Sequence, residues 1–149
     1  MTGNKKSIFK GGQRMLSIYL FFNGQCEEAL NFYESVFDSQ RSQFLKFKDI
    51  PKDEPNQDFD QELVMHAELP IGQSVLRMCD NPYSDSVFGD NVVINYSSDD
   101  QQQVQKVWNR LIEKGSTVVM ELDVTFFSAL FGQCTDPYGV TWMVMDSSQ

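Results

Sequence analysis

Basic residues are scarce in this sequence, and that scarcity excludes a whole class of partners. Twelve Lys and Arg stand against 21 Asp and Glu in 149 residues, a formal net charge of −9. Nucleic-acid binding rests on a basic face that displaces counterions from phosphates, so no nucleic-acid partner is expected. Cysteine is sparse too: Cys26, Cys79 and Cys134 are odd in number, far apart and in no Cys-x-x-Cys pair. Without a secretory signal pattern, that usage points to reduced thiols and a cytoplasmic location. No apolar run nears the roughly 20 residues that span a bilayer, so no membrane association is expected. His66 is the only histidine. Neither a Ser–His–Asp arrangement nor a P-loop can be assembled around it.

What is present is a repeat. Ala29, Phe32, Tyr33, Val36 and Phe37 fall at i, i+3, i+4, i+7, i+8, and Val104, Val107, Trp108, Leu111 and Ile112 repeat that spacing. Both sets describe the apolar stripe of an amphipathic helix. A short apolar run precedes each, Leu16 to Phe22 and Val92 to Tyr96, with Asn23 and Ser98 as expected helix caps. Strand-like segments follow each helix. In the first half these are Arg41 to Lys48, Leu63 to Leu69 and Ser74 to Cys79, the last two forming a hairpin around a Pro-Ile-Gly-Gln turn. In the second they are Thr117 to Met120, Phe126 to Cys134 and Val140 to Met145, with a tight turn at Asp136-Pro137-Tyr138-Gly139. The expectation is an α+β protein: two βαβββ modules, about 15–80 and 90–146, forming a half-open mixed β-barrel around a concave cavity. Residues 1–14 read as an extension outside this 15–149 domain. Residues 49–61 read as an acidic, proline-containing loop, a lid or a plain connection.

Three segments carry a family resemblance: YLFFNGQCEEALNFYESVF from Tyr19, VMHAELPIG from Val64 and FGQCTDPYGVTWMV from Phe131. The chain resembles the vicinal oxygen chelate superfamily, the glyoxalase/bleomycin-resistance/dioxygenase fold, and within it the PhnB-like branch. Proteins of that branch often bear a demethylubiquinone methyltransferase-like label. Methyl transfer from S-adenosylmethionine normally needs a glycine-rich strand–helix turn, and none stands in that context here. The resemblance also implies a homodimer in which modules pair across the interface. Metal-dependent members place His and Glu on the first and last strands of the two modules. Alignment on the helix stripes carries those positions to about Ile18, Leu76, Val93 and Met143. All four are apolar, and a one-residue slip to Tyr19, Arg77, Ile94 or Trp142 gives no ligand set. No metal and no cofactor is therefore expected, unless His66 and Glu68 recruit a distant carboxylate.

Candidate site residues follow from strand periodicity. His66 and Glu68, at i and i+2, share a face and form a candidate catalytic pair, a general base and its orienter. The plainer alternative is a structural histidine beside a solvent-exposed glutamate. Tyr19, Phe127, Phe131 and Trp142 are candidate aromatic walls for a ligand, or ordinary sheet core. Arg77, lone in an apolar strand, is a candidate holder of a carboxylate or phosphate, or a partner for an acidic neighbour. Asn95 and Gln133 are candidate hydrogen-bonding contacts. Cys26, in the first turn of its helix, is expected to feel the dipole as a lowered thiol pKa. The functional expectation is an unknown small organic molecule bound in the inter-module cavity without a metal. The alternatives are a small-molecule enzyme of lyase or isomerase type, acid–base or metal-assisted, using His66 and Glu68, and a module acting through its surface on a partner.

Overall fold

The computed structural model describes residues 14–51 and 58–148. Most of the N-terminal extension and residues 52–57 of the acidic loop lie outside the described residues, so expectations for those segments do too. The first module contains β1 (Ile18–Phe22), α1 (Cys26–Phe37), β2 (Gln43–Lys46), a 3-10 turn at Phe47–Asp49, β3 (Val64–Ile71) and β4 (Ser74–Asp80). The second contains β5 (Ile94–Ser98), α2 (Gln101–Ile112), β6 (Thr117–Asp123), β7 (Phe131–Thr135) and β8 (Thr141–Asp146). The strand orders are β1-β4-β3-β2 and β5-β8-β7-β6, with β1–β4 and β5–β8 parallel and the other pairs antiparallel. The two mixed sheets do not join into a closed barrel, and the architecture is the expected half-open one.

Each helix buries its stripe against the sheet of its own module. Ala29, Leu30, Tyr33 and Val36 are buried on α1, and Val104, Val107, Trp108 and Leu111 on α2. Alternation supplies the opposing surface: Ala67 and Leu69 of β3 and Leu76 and Met78 of β4 point into the core. Gly132 of β7 makes room for α2, since a Cβ there would lie 2.9 Å from the Trp108 ring and 3.0 Å from the Leu122 backbone. Pro70 fits within β3 because β2 ends at Gln43, opposite Glu68, before its lost N–H would be needed.

The modules meet through α1. Tyr33 and Phe37 pack on Trp142 of β8 with ring centroids 5.5 and 5.2 Å away, and Phe37 also meets Tyr96 of β5 at 5.4 Å. At the centre of this seam is Asp136, from the tight turn before β8. Its Oδ2 accepts the Tyr33 hydroxyl at 2.6 Å and the Trp142 indole N–H at 2.9 Å. Its Oδ1 accepts the backbone N–H groups of Tyr138 and Val140. A buried carboxylate with four donors is satisfied, and it ties the first module's helix to the second module's last strand.

Local details differ from the sequence reading. Asn23 does not cap α1; its side chain exchanges hydrogen bonds with the backbone of Ser86. The first N–H groups go instead to Asp80, which ends β4: its Oδ1 accepts from Gly24 and Cys26, and its Oδ2 from Val64. Asp146 ends β8 in the same register, Phe22 facing Asp80 and Ser98 facing Asp146. The cap of α2 is Asp100, which accepts from Gln102 N–H, while Ser98 Oγ supports Asp100 from below. The strand expected over 126–134 begins only at Phe131. A side-chain turn at Thr125–Ser128 and the Ser128 hydroxyl, bonded to Leu130 and Asp146 carbonyls, hold the preceding residues off the ladder. Cys26 is fully buried, and burial with Asp80 nearby pushes its thiol up rather than down, overriding the helix dipole.

Candidate functional site

The side of the first sheet that carries no helix presents Tyr19 and Phe21 from β1, Arg77 from β4 and His66 and Glu68 from β3. Register brings them together: Tyr19 faces Arg77, Arg77 faces Glu68, and Leu45 of β2 faces His66. Tyr19 Oη lies 2.8 Å from His66 Nδ1, and His66 Nε2 lies 2.8 Å from Glu68 Oε2. Arg77 Nη2 completes the row at 3.6 Å from Glu68 Oε1. Apolar side chains frame the row, with the Phe21 ring 5.3 Å from that of Tyr19.

The proton positions follow from chemistry. Burial, with Cys79 alongside, pushes the Tyr19 phenol above its ordinary value of 10.0, so the phenol keeps its proton, and because the Glu68 carboxylate at Nε2 can only accept, Nδ1 of the neutral ring is left to accept from the phenol. His66 Nε2 then carries the ring proton and donates it to Glu68. In this tautomer the imidazole is held at both ends, and Nδ1 is the proton-accepting atom. The unit is an oriented base with a phenol between it and the open surface.

The remaining candidates separate into two other regions. Asn95 and Trp142 border a cavity of about 410 Å³ at the seam between the modules, with Ile18, Phe37, Leu76 and Tyr96, although the Asn95 side chain itself turns to the helix-free side, toward Met145 Sδ. Trp142 is its buried floor, with its indole N–H committed to Asp136. Phe127, Phe131 and Gln133 stand on the helix-free side of the second sheet, where the Phe127 and Phe131 rings are 5.1 Å apart and Gln133 faces Met143. No hydrogen bond or ring contact among described residues links this group to His66. Thus Tyr19, His66, Glu68 and Arg77 form one constellation, and Asn95, Trp142, Phe127, Phe131 and Gln133 lie elsewhere. Sequence reasoning did not foresee Phe21, Leu45 and Cys79 at this site. Their signal was parity, since Phe21 and Cys79 sit two residues from Tyr19 and Arg77.

The metal positions carried over by resemblance resolve into cross-strand pairs. Ile18 faces Leu76, Tyr19 faces Arg77 and Ile94 faces Trp142, while Met143 faces Asn95 rather than the expected Val93; of these pairs Tyr19 with Arg77 and Asn95 with Met143 lie on the helix-free sides. A guanidinium offers no lone pair and a thioether is a soft donor, so one amide oxygen and one protonated phenol are too few hard donors for a divalent ion. Among the described residues no three His, Cys, Asp or Glu side chains are grouped to hold a metal ion. The residues present do not fit the metal centre of the metal-dependent members.

Paired βαβββ modules with half-open sheets define a glyoxalase-type fold. A glyoxalase/bleomycin resistance protein/dioxygenase family enzyme from Burkholderia phytofirmans PsJN shares it at 16% identity, with a TM-score of 0.57 over 87% of this chain and 95% of that one. Residues 14–145 match the family model described as 3-demethylubiquinone-9 3-methyltransferase, and the chain belongs to that family. Protein PA1353 from Pseudomonas aeruginosa is 32% identical, with a TM-score of 0.80 over 92% of this chain and all of that one. Protein YjdN from Escherichia coli (strain K12) is 28% identical over 141 residues, 87% of this chain and 92% of its own length. A PhnB protein from Bacillus cereus, described as a putative 3-demethylubiquinone-9 3-methyltransferase, is 24% identical with a TM-score of 0.73, covering 90% of this chain and all of that one.

Proposed function

We propose that this protein binds a small organic molecule on the helix-free face of its first sheet, without a metal, and that Tyr19, His66, Glu68 and Arg77 are the polar anchors. The observation that carries this reading is the hydrogen-bonded row Tyr19–His66–Glu68 set among exposed apolar side chains. The bonds at both ring nitrogens fix the orientation of His66, and a site built to bind pre-orients its polar groups. The family's methyltransferase description gains no support from the strand–helix turns. The N–H groups at the start of α1 and α2 are occupied by Asp80 and Asp100, which would repel a phosphate or carboxylate of a cofactor.

A second reading is favoured by the order of the protons. A ligand hydroxyl or acidic C–H at the Tyr19 oxygen would pass its proton through the phenol to His66 Nδ1, and the imidazolium would pair with Glu68. That is the acid–base chemistry of a lyase or isomerase. His66→Ala separates the readings: with a ligand in hand, a fall in kcat of at least a hundredfold at saturating ligand, beyond the weaker binding, identifies an enzyme. Absence of turnover in wild type leaves binding as the function.

Homodimer formation is part of the proposal. Tyr19, Phe21 and Leu45 on one sheet, and Met120, Phe126 and Phe127 on and beside the other, are large apolar residues left exposed in the single chain. A second copy that laid its second sheet over the first would enclose the Tyr19–His66 row. No helix among the described residues is long and apolar enough to cross a membrane. The three cysteines are unpaired and buried, which supports the cytoplasm as the location.

A further inference from the structure

The helix-free face carries one charged group that its own hydrogen bonds do not use. Arg77 is central, facing Tyr19 on one side and Glu68 on the other. Its one polar contact among the described residues is the 3.6 Å ion pair to Glu68, longer than a hydrogen bond. Its side chain is 27% exposed, so its five N–H donors are neither matched nor fully in water. The other two arginines inside the fold differ. Arg41 donates to both Glu34 oxygens and to Asn31, and Arg110 to the Ser35 carbonyl and the Asp38 carboxylate.

We propose that Arg77 is the anion anchor of this face and that the ligand is a small planar organic acid. Its carboxylate would sit in the guanidinium fork, its adjacent hydroxyl would donate to the Tyr19 phenol oxygen, and its apolar body would lie against Phe21 and Leu45. This rests on the reading of the face as a binding site. A planar fork matches a planar carboxylate through two parallel hydrogen bonds. Charge favours a monoanion: Arg77 and Glu68 already balance, and a phosphate dianion would leave two charges uncompensated instead of one. The strand amides beside Arg77 are held in the sheet ladder, so they offer no nest for phosphate oxygens. The Tyr19 phenol, which keeps its proton, adds no negative charge. The net charge of −9 acts mainly beyond a Debye length of about 10 Å at 0.1 M salt, so it slows encounter more than it weakens the contact.

The test uses two probes on the full chain, salicylate and its neutral analogue salicylamide, read by NMR at the ring C–H signals of the single histidine. Salicylate is expected to shift the His66 signals saturably in wild type and to lose at least tenfold in affinity in Arg77→Gln. Salicylamide is expected to bind both proteins alike, which also shows that the variant is folded. Arg77→Lys keeps the charge opposite Glu68 and removes the fork; salicylate is expected to bind it more weakly than wild type. Equal salicylate affinity in wild type and either variant overturns the Arg77 anchor while leaving the site in place. No saturable His66 shift with either probe in wild type overturns the site and the anchor together.

Discussion

At the scale of single residues, Asp136 and His66 are the two side chains whose environments say most. Asp136→Ala would strand the Tyr33 hydroxyl, the Trp142 indole N–H and two backbone N–H groups, each orphaned donor costing roughly 1–3 kcal/mol. The expected result is a loss of about 3 kcal/mol or more, read as a fall in the urea midpoint. Its near-equality with wild type would show that the seam does not depend on this carboxylate. For His66 the expected tautomer has the proton on Nε2. The ring nitrogen shifts should show it directly, and Tyr19→Phe should raise the Nδ1–H population by removing the donor. Burial pushes the Cys134 thiol up to about 12 from an ordinary 9.0. A raised folded value favours folding below pH 9, and that contribution is lost as pH climbs from 9 through about 12. Stability should therefore decline above pH 9 more steeply in wild type than in Cys134→Ala. The pairing of His66 with Glu68 was legible from their i, i+2 spacing. The role of Asp136 was not, because its partners Tyr33 and Trp142 lie 103 and 6 residues away and only the packed seam brings them together.

Among the elements, helices were easier to read than strand limits. The stripes of α1 and α2 are buried as their periodicity predicts, because a 3.6-residue repeat has one dominant way to meet a core. The segment Phe126 to Cys134 misled because exposed aromatics imitate a buried strand. Phe126 and Phe127 are exposed and meet edge to face, and the Thr125–Ser128 turn keeps them from pairing. The caps misled because the groups that satisfy the start of α1 come from Asp80, 54 residues beyond Cys26. A test of helix–sheet packing is Gly132→Ala, whose Cβ must displace the Trp108 ring or the Leu122 backbone. Overpacking of this kind costs typically 1–3 kcal/mol, and Trp108 fluorescence should shift with the lower melting temperature. An unchanged melt would mean that α2 can move away freely.

For the molecule as a whole, duplication explains both the fold and the way the predicted site divides. Equivalent parallel pairs, β1 with β4 and β5 with β8, present Tyr19 with Arg77 in one module and Asn95 with Met143 in the other. The same scaffold thus bears an ionisable row on one face and an amide–thioether pair at the equivalent place on the other. Within the single chain the modules meet through α1, and no hydrogen bond or ring contact among the described residues joins Asn95, Phe127, Phe131 or Gln133 to His66. A dimer is expected at micromolar concentration by light scattering, and a monomer under those conditions would contradict the proposed closure. The claim on which all of this depends is that small molecules bind at the Tyr19–His66–Glu68 row. The most direct measurement is a ligand-observed NMR screen of small polar aromatics run in parallel on wild type and His66→Ala. Compounds that bind wild type and lose their signal with the folded variant are the predicted result. Compounds that bind both proteins equally would place the ligand elsewhere and contradict the account.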